Sequence, residues 1–311
     1  MESTACLVCG ARAAQPLFTL PDSLLGLPGT FQLVRCADCG LVYQNPRPTE
    51  AEIGAYYPPE YDPFAAPPWA NPNPLARATQ LYGLKKRWAL VERWAPRRDG
   101  PRDILDIGCA TGVFLAAGGD DWRKLGVELT AEAAQYARHT FGLTVHQGTL
   151  EQAPLMPNSF DAITLWDVLE HLYDPLRTLV RARELLRPGG ILVVRVPNLD
   201  AWDARLFGRY WAGLDQPRHL FVPDSASLTR LLDQAGFVEV ERRCLSGAYG
   251  ALVLSWRFWL RERIANPRRR DLARRVVDNF ATRLAVTPLL WVIDHVFLKG
   301  PLLAVVARSE G

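Results

Sequence analysis

Charge of either sign is nearly absent as an imbalance: 36 Lys and Arg against 33 Asp and Glu leave a formal +3 over 311 residues. So small a net charge gives a nucleic-acid partner no support from the global field. The opening residues, MESTACLVCG, lack the basic start and long apolar stretch of a secretory signal. Near the other end, LAVTPLLWVIDHVFLKG is apolar but interrupted by Pro288, Asp294 and His295, and it is too short to cross a bilayer. No internal repeat is present. The six cysteines are few, and four of them fall into two CxxC pairs, a spacing suited to metal binding rather than disulfides. A cytoplasmic globular chain is the expectation these absences leave.

What is present suffices for one α/β core and a smaller module, since 49% of the residues are hydrophobic. Residues 1–48 hold the paired cysteines. Residues 49–74 (with YYPPEYDPFAAPPWANPNP) are too rich in Pro and Tyr for a regular helix and read as a linker or lid. Residues 75–244 and 301–311 read as the core, and 245–300 as a helical insertion that splits a terminal hairpin.

Within the core, strands are expected at 103–107, 124–128, 143–146, 160–165, 190–196 and 237–243, mostly short apolar runs of the kind buried on both faces. Helices are expected at 75–94, from the spacing of Leu81, Leu84, Trp88 and Val91, at 130–141 with Thr130 as cap, and at 175–187 with Pro175 in the first turn. Alternating β and α segments predict a doubly wound, Rossmann-like, mostly parallel seven-stranded sheet, the seventh strand being LLAVVAR.

In such a sheet ligands bind beyond the carboxyl ends of the strands, which is where ILDIGCATGVFL puts its loop. A pyrophosphate loop needs GxGxxG; here Gly108 and Gly112 flank Cys109 and Ala110, and no third glycine follows. Glu128, closing the next strand, is an acid placed to accept hydrogen bonds from the vicinal hydroxyls of a ribose.

ILDIGCATG, GVEL, LPNSFDAITLWDVLEHLYDP and LLRPGGILVVRVPN, in that order, resemble the class I S-adenosylmethionine-dependent methyltransferases over roughly residues 75 to 245. The resemblance implies that the loop faces the methionine part of the cofactor through Asp106, Gly108, Cys109, Ala110 and Gly112. By the same resemblance Glu128 binds ribose, Gly148, Thr149 and Leu150 flank adenine, and Trp166 and Asp167 complete the site. The family often has glycine where this chain has Ala110. A tight structural turn is the alternative for the loop, and Cys109 reads as a packing residue.

Methyl transfer needs in-line alignment and, for a hydroxyl or carbon acid, a base. His171 in WDVLEH and His219 in QPRHLF are the candidates, although either can serve as a wall or loop anchor. WDVLEH resembles the matching segment of quinone-biosynthesis O-methyltransferases. Asp167, Glu170, His171 and His219 also carry the donor atoms for a magnesium-type divalent ion.

Cys6, Cys9, Cys36 and Cys39, in CLVCG and CADCG, are expected to hold a structural zinc with no open position, the alternative being redox or incidental thiols. VRCADCGLVYQNPRPTE resembles the zinc-binding module of methyltransferases acting on sugar nucleotides; Tyr43, Tyr56, Tyr57 and Tyr61 could line a lid there or pack on the core. The insertion joins WRFWLRERIANPRRRDLARR to the interrupted apolar stretch, a pattern fit for peripheral membrane contact, a dimer surface or a helical cap. The function expected is methyl transfer to oxygen or carbon of a small sugar, quinone or lipid-linked acceptor. Its competitors are an RNA or protein methyltransferase, weakened by the charge balance and by WDVLEH in place of an NPPY-like loop, and a cofactor-binding scaffold without turnover.

Overall fold

Strand alternation in the first forty residues puts two different chemistries on the two faces of one small sheet. In the computed structural model, which describes residues 1–58, 67–245 and 247–309, β1 (Ala14–Leu20), β2 (Phe31–Cys36) and β3 (Val42–Gln44) pair antiparallel, and β9 (Phe221–Val222) adds to β3. Because directly opposed residues share a face, Leu33, Val42 and Val222 pack with Phe207, Trp211 and Leu214, while Val34, Cys36 and Tyr43 turn to the other side. This sheet belongs to one of two units, made of Met1–Tyr56, Val196–Leu228 and Arg243–Leu303. The unit also contains α1 (Glu50–Ile53), closed by a Thr49–Glu52 capping box, and α6 (Trp202–Phe207). The insertion forms α8 (Ala248–Arg263), α9 (Pro267–Asp278) and α10 (Phe280–His295).

A buried ion triad holds this unit's loops. Arg218 is fully buried; its Nη2 donates to Asp22 at 2.8 Å and to Asp215 at 2.7 Å, and its Nη1 donates to the Tyr56 carbonyl at 3.2 Å. Burial pushes the Asp22 carboxyl up, yet the hydrogen bonds and charge of Arg218, together with the amides of Leu25 and Leu24, outweigh it and hold the group below its ordinary value. Asp22 also accepts from the amides of Leu24 and Leu25, so its remaining lone pairs are used within its own turn.

The second unit comprises Tyr57–Arg195, Thr229–Arg242 and Ala304–Gly311. Its strands are β4 (Arg102–Ile107), β5 (Trp122–Glu128), β6 (Thr144–Gln147), β7 (Phe160–Trp166), β8 (Leu186–Pro197), β10 (Phe237–Cys244) and β11 (Leu302–Ser309), the last three reaching or crossing its boundary. Their order is β10-β11-β8-β7-β4-β5-β6, the seven-stranded Rossmann-like α/β sheet expected, with β4–β5, β4–β7, β5–β6 and β7–β8 parallel. The chain runs outward from β4 through β5 and β6, then returns to the other side of β4 with β7. The strand order therefore reverses at the carboxyl ends of β4 and β7, where an open α/β sheet leaves its ligand crevice.

Helices α2 (Pro74–Trp94), α3 (Val113–Ala116), α4 (Ala131–Phe141), α5 (Pro175–Leu185) and α7 (Ser225–Gln234) complete the description, α7 crossing the unit boundary. Trp88 of α2 stacks on Phe114 at 4.8 Å and donates its indole N–H to the Phe114 carbonyl at 2.7 Å. A Cβ at Gly118 would lie 2.1 Å from the Trp88 ring, so only glycine lets the indole sit there.

Four local expectations need correction. Leu81 is exposed, and Leu90 joins Leu84, Trp88 and Val91 as a buried residue of α2. Thr130 makes no side-chain cap; its contribution is its backbone N–H, given to Glu128. The helix expected to run to 187 stops at Leu185, and the strand expected from 190 begins at Leu186, because Leu186 pairs with Phe160 of β7 and Pro188–Gly190 fall in the irregularity before Ile191 pairs with Ala162. Tyr43 is fully buried on the cysteine face rather than in a lid, and Tyr61 lies outside the described residues.

Arg218→Ala leaves the buried Asp22 carboxylate and the largely buried Asp215 carboxylate without their cation, and should lower stability by about 3–5 kcal/mol. The urea midpoint of the full chain, followed by tryptophan fluorescence, reads this directly; a loss below about 1 kcal/mol would show that the triad is not a determinant of stability.

Candidate cofactor site and cysteine cluster

The loop after β4 is shaped by close approach rather than by flexibility. Gly108 and Gly112 have φ of 68° and 76°, and a Cβ on them would meet Val168 at 2.6 Å and Leu143 at 2.5 Å. Between them Ala110 also has positive φ, 46°, so this alanine occupies a conformation that favours glycine. What holds it there is an external tie: the Ala110 N–H donates to Glu128 Oε2 at 2.9 Å, and the Thr130 N–H donates to Oε1 at 2.8 Å. Cys109 is buried, and a Cβ at Gly126 would lie 2.4 Å from its sulfur, which makes the thiol a packing group against β5.

Each Glu128 oxygen has accepted one bond and retains a second lone pair, so the carboxylate can still receive two hydroxyls. Beside it, Gly148 donates its N–H to the Glu128 carbonyl at 2.9 Å, Thr149 donates to Gln152 Oε1 at 3.0 Å, and Leu150 is buried. The residues expected to flank adenine are thus brought to the carboxyl end of β5.

Around β4 and β7 charges alternate. Asp106 is buried and accepts a 2.6 Å hydrogen bond from Thr164; burial, with a smaller contribution from the Glu128 charge, pushes its carboxyl up to about 7. Trp166 packs against Phe114 at 5.2 Å and lies between two guanidinium groups, Arg87 at 5.5 Å and Arg195 at 5.7 Å. Its indole Nε1 is buried without a hydrogen-bond partner among the described residues. Asp167, at φ 60°, receives a fork from Arg195. Arg87 makes no ion pair among the described residues, and its Nε is buried and unpartnered; burial, then the Arg195 charge, lowers it to about 10. A desolvated guanidinium with unused donors is a receptor for an anion.

Of the candidate bases, His171 follows β7 in a short helical turn, and its Nδ1 lies 2.9 Å from the Tyr57 hydroxyl. His219 belongs to the other unit, where its Nδ1 lies 2.8 Å from the Gly213 carbonyl. Sequence reading missed Arg87, Arg195 and Thr164, and named Tyr57 only as a lid candidate. Arg87 hides in a helix full of basic residues (LKKRWALVERW), where spacing alone does not tell the one cation that turns to the β4 end from those in solvent.

The four paired cysteines come together. Their sulfurs all lie within 4.8 Å of one another, with Cys6 and Cys39 at 3.4 Å and Cys9 and Cys36 at 3.5 Å. Four thiolates about 2.3 Å from a zinc stand roughly 3.8 Å apart at tetrahedral angles, so the cluster has the dimensions of that ion. Both knuckles close alike: Gly10 and Gly40, each with positive φ, donate their N–H to the carbonyls of Cys6 and Cys36. Tyr43, on the Cys36 face, has a buried hydroxyl without a partner among the described residues.

Asp106 offers a test of the electrostatics. Its folded pKa of about 7 exceeds its ordinary 3.8, so its stabilising contribution is present below 3.8 and lost as pH rises towards 7. Asp106→Asn should therefore raise the melting temperature of ligand-free protein at pH 8, and the gain should shrink to about half at pH 5.5. An equal effect at both pH values would contradict a neutralised carboxyl.

Comparison with known proteins bears on the family and the fold. A family model described as methyltransferase domain matches residues 79–242. A probable S-adenosylmethionine-dependent methyltransferase of Mycolicibacterium smegmatis is 30% identical over 169 residues, 53% of this chain and 62% of that one. A ubiquinone biosynthesis O-methyltransferase of Xanthomonas campestris pv. campestris is 30% identical over 164 residues, covering 41% and 66% of the two chains. The matches to the first relatives span 52–62% of their lengths. In fold, the chain resembles geranyl diphosphate C-methyltransferase from Streptomyces coelicolor A3(2), with a TM-score of 0.51 at 10% identity, covering 83% of this chain and 97% of that one. The β4 loop, the acid closing β5 and the exit of β7 all lie inside the matched segment, and by that match the chain belongs to the methyltransferase domain family.

Proposed function

We propose that this protein is an S-adenosylmethionine-dependent methyltransferase acting on oxygen or carbon of a small acceptor, a sugar, quinone or lipid-linked molecule. The observation that carries the reading is the juxtaposition of two receptors: a carboxylate at Glu128 with two free lone pairs, and an unpaired guanidinium at Arg87 near Asp106. The first suits a ribose diol, which many cofactors offer. The second pair suits a zwitterionic amino-acid tail, which nicotinamide dinucleotides do not have. When bound, S-adenosylmethionine supplies an electrophilic methyl group on a sulfonium. Arg87 holds the carboxylate of the tail, Asp106 faces its ammonium, and the Gly108–Gly112 turn lets both approach the backbone. Gly148, Thr149 and Leu150 wall the adenine, and Trp166 and Asp167 bound the methionine side.

His171 is the first candidate to take the acceptor's proton, with the Tyr57 hydroxyl 2.9 Å from its Nδ1 to orient the ring. His219 is the second candidate. The engagement of Asp167 by Arg195 argues against a divalent ion on that carboxylate. Cys6, Cys9, Cys36 and Cys39 hold a structural zinc, and the Tyr43 hydroxyl is available to donate to a thiolate.

Calorimetry separates the two receptors. Glu128→Ala should weaken both S-adenosylhomocysteine and adenosine by about 10- to 100-fold, whereas Arg87→Met should weaken only S-adenosylhomocysteine, by a similar factor. Uptake of a nicotinamide dinucleotide with no affinity for S-adenosylhomocysteine would overturn the proposal. Independently, elemental analysis of purified protein should find one zinc per chain, and its removal by chelator should unfold the β1–β3 module. Protein free of metal with an unchanged circular dichroism spectrum would remove the zinc.

A further inference from the structure

Helix α10 is inside out. At 100° per residue, Phe280, Leu284, Leu289, Trp291 and Val292 fall on its outward side and are 62%, 65%, 61%, 54% and 37% exposed. Its two fully charged residues turn the other way: Arg283 lies against the Tyr249 ring at 5.7 Å and Asp294 is buried. Val296 and Phe297 extend the exposed apolar surface past the helix end, while Leu272 and Val276 expose it on α9. Exposed apolar residues scattered singly need no explanation, but nine on one helical pair, with no charge among those of α10, form a patch that water does not favour.

What surrounds this patch identifies its partner. Residues 257–283 carry nine arginines against three acids, a net +6, twice the +3 of the whole chain. Arg268, Arg269, Arg270 and Arg275 have no acidic partner among the described residues, so their charge is not neutralised locally. A second copy of the chain would bring another +6 against the first, which opposes self-association through this face. An anionic bilayer satisfies both features: its headgroups accept the guanidinium groups and its acyl boundary takes Phe280, Leu284 and Trp291. No single helix is long and apolar enough to cross a membrane; α9 and α10 pass that test only as a pair bent by 55°, and the five arginines of α9 suit a headgroup surface rather than the hydrocarbon.

We infer that α9 and α10 dock this protein on an anionic phospholipid surface, with α10 seated at the headgroup boundary and the α9 arginines on the phosphates. Docking is independent of methyl transfer, so cofactor calorimetry without vesicles and vesicle binding without cofactor can fail separately. In sedimentation of the full chain with vesicles, binding to phosphatidylcholine mixed with phosphatidylglycerol should exceed binding to phosphatidylcholine alone by about tenfold or more, and fall as salt rises. A Leu284→Glu/Trp291→Glu double variant should lose binding while keeping its melting temperature, and Arg268→Glu/Arg269→Glu/Arg275→Glu should lose the preference for phosphatidylglycerol. Three results would overturn the inference: no binding to either vesicle at low salt, equal binding to both, or a stable dimer by light scattering that the Leu284→Glu/Trp291→Glu variant dissociates, which would give the face to a second copy.

Discussion

The carboxylate of Glu128 is the tie on which the candidate cofactor site depends. Two backbone donors, one from the β4 loop and one from the start of α4, converge on it, so one side chain sets the distance between adjacent strand ends. Without that convergence Ala110 would have no reason to remain at positive φ, where a Cβ is disfavoured by about 1 kcal/mol. The same group presents its spare lone pairs to the crevice. An acid rather than an amide suits the position, because an amide would put a donor where the backbone already supplies one.

Charge in the rest of the site follows from desolvation. Asp106, Arg87, Asp167 and Arg195 lie close to one another, and only Asp167 and Arg195 are matched. The other two are left with opposite perturbations, the acid pushed up and the cation pushed down, as burial of unpaired groups requires.

The other unit solves a different problem. Its small sheet has one apolar face buried against Trp211 and its neighbours, while the opposite face carries Cys36 and Tyr43. Four cysteines gathered within 4.8 Å of one another, and an Arg218 triad closing on two loops, tie together what so short a set of strands cannot hold by apolar burial alone. The outward-facing apolar side of α10 is the exception to this economy, and its arginine-rich surroundings give it a destination.

Periodicity and turn chemistry were enough to read the parallel sheet, the position of its ligand loop, the acid closing β5 and the two cysteine knuckles, because each is local: a run of apolar residues, a glycine at a strand end, a fixed CxxC spacing. Boundaries that depended on pairing were less legible; Leu186 joins a strand only because Phe160 is its partner. The amino-acid sequence by itself determined the family, the sheet and the residue types available for chemistry. Only the tertiary structure decided that Arg87 is the half-buried cation whose Nε is left without a partner, that Thr130 contributes its backbone rather than its hydroxyl, and that α10 turns its apolar side outward. Those outcomes are set by which groups lose water together, and loss of water is a property of surfaces brought into contact across long stretches of chain, which no short window contains.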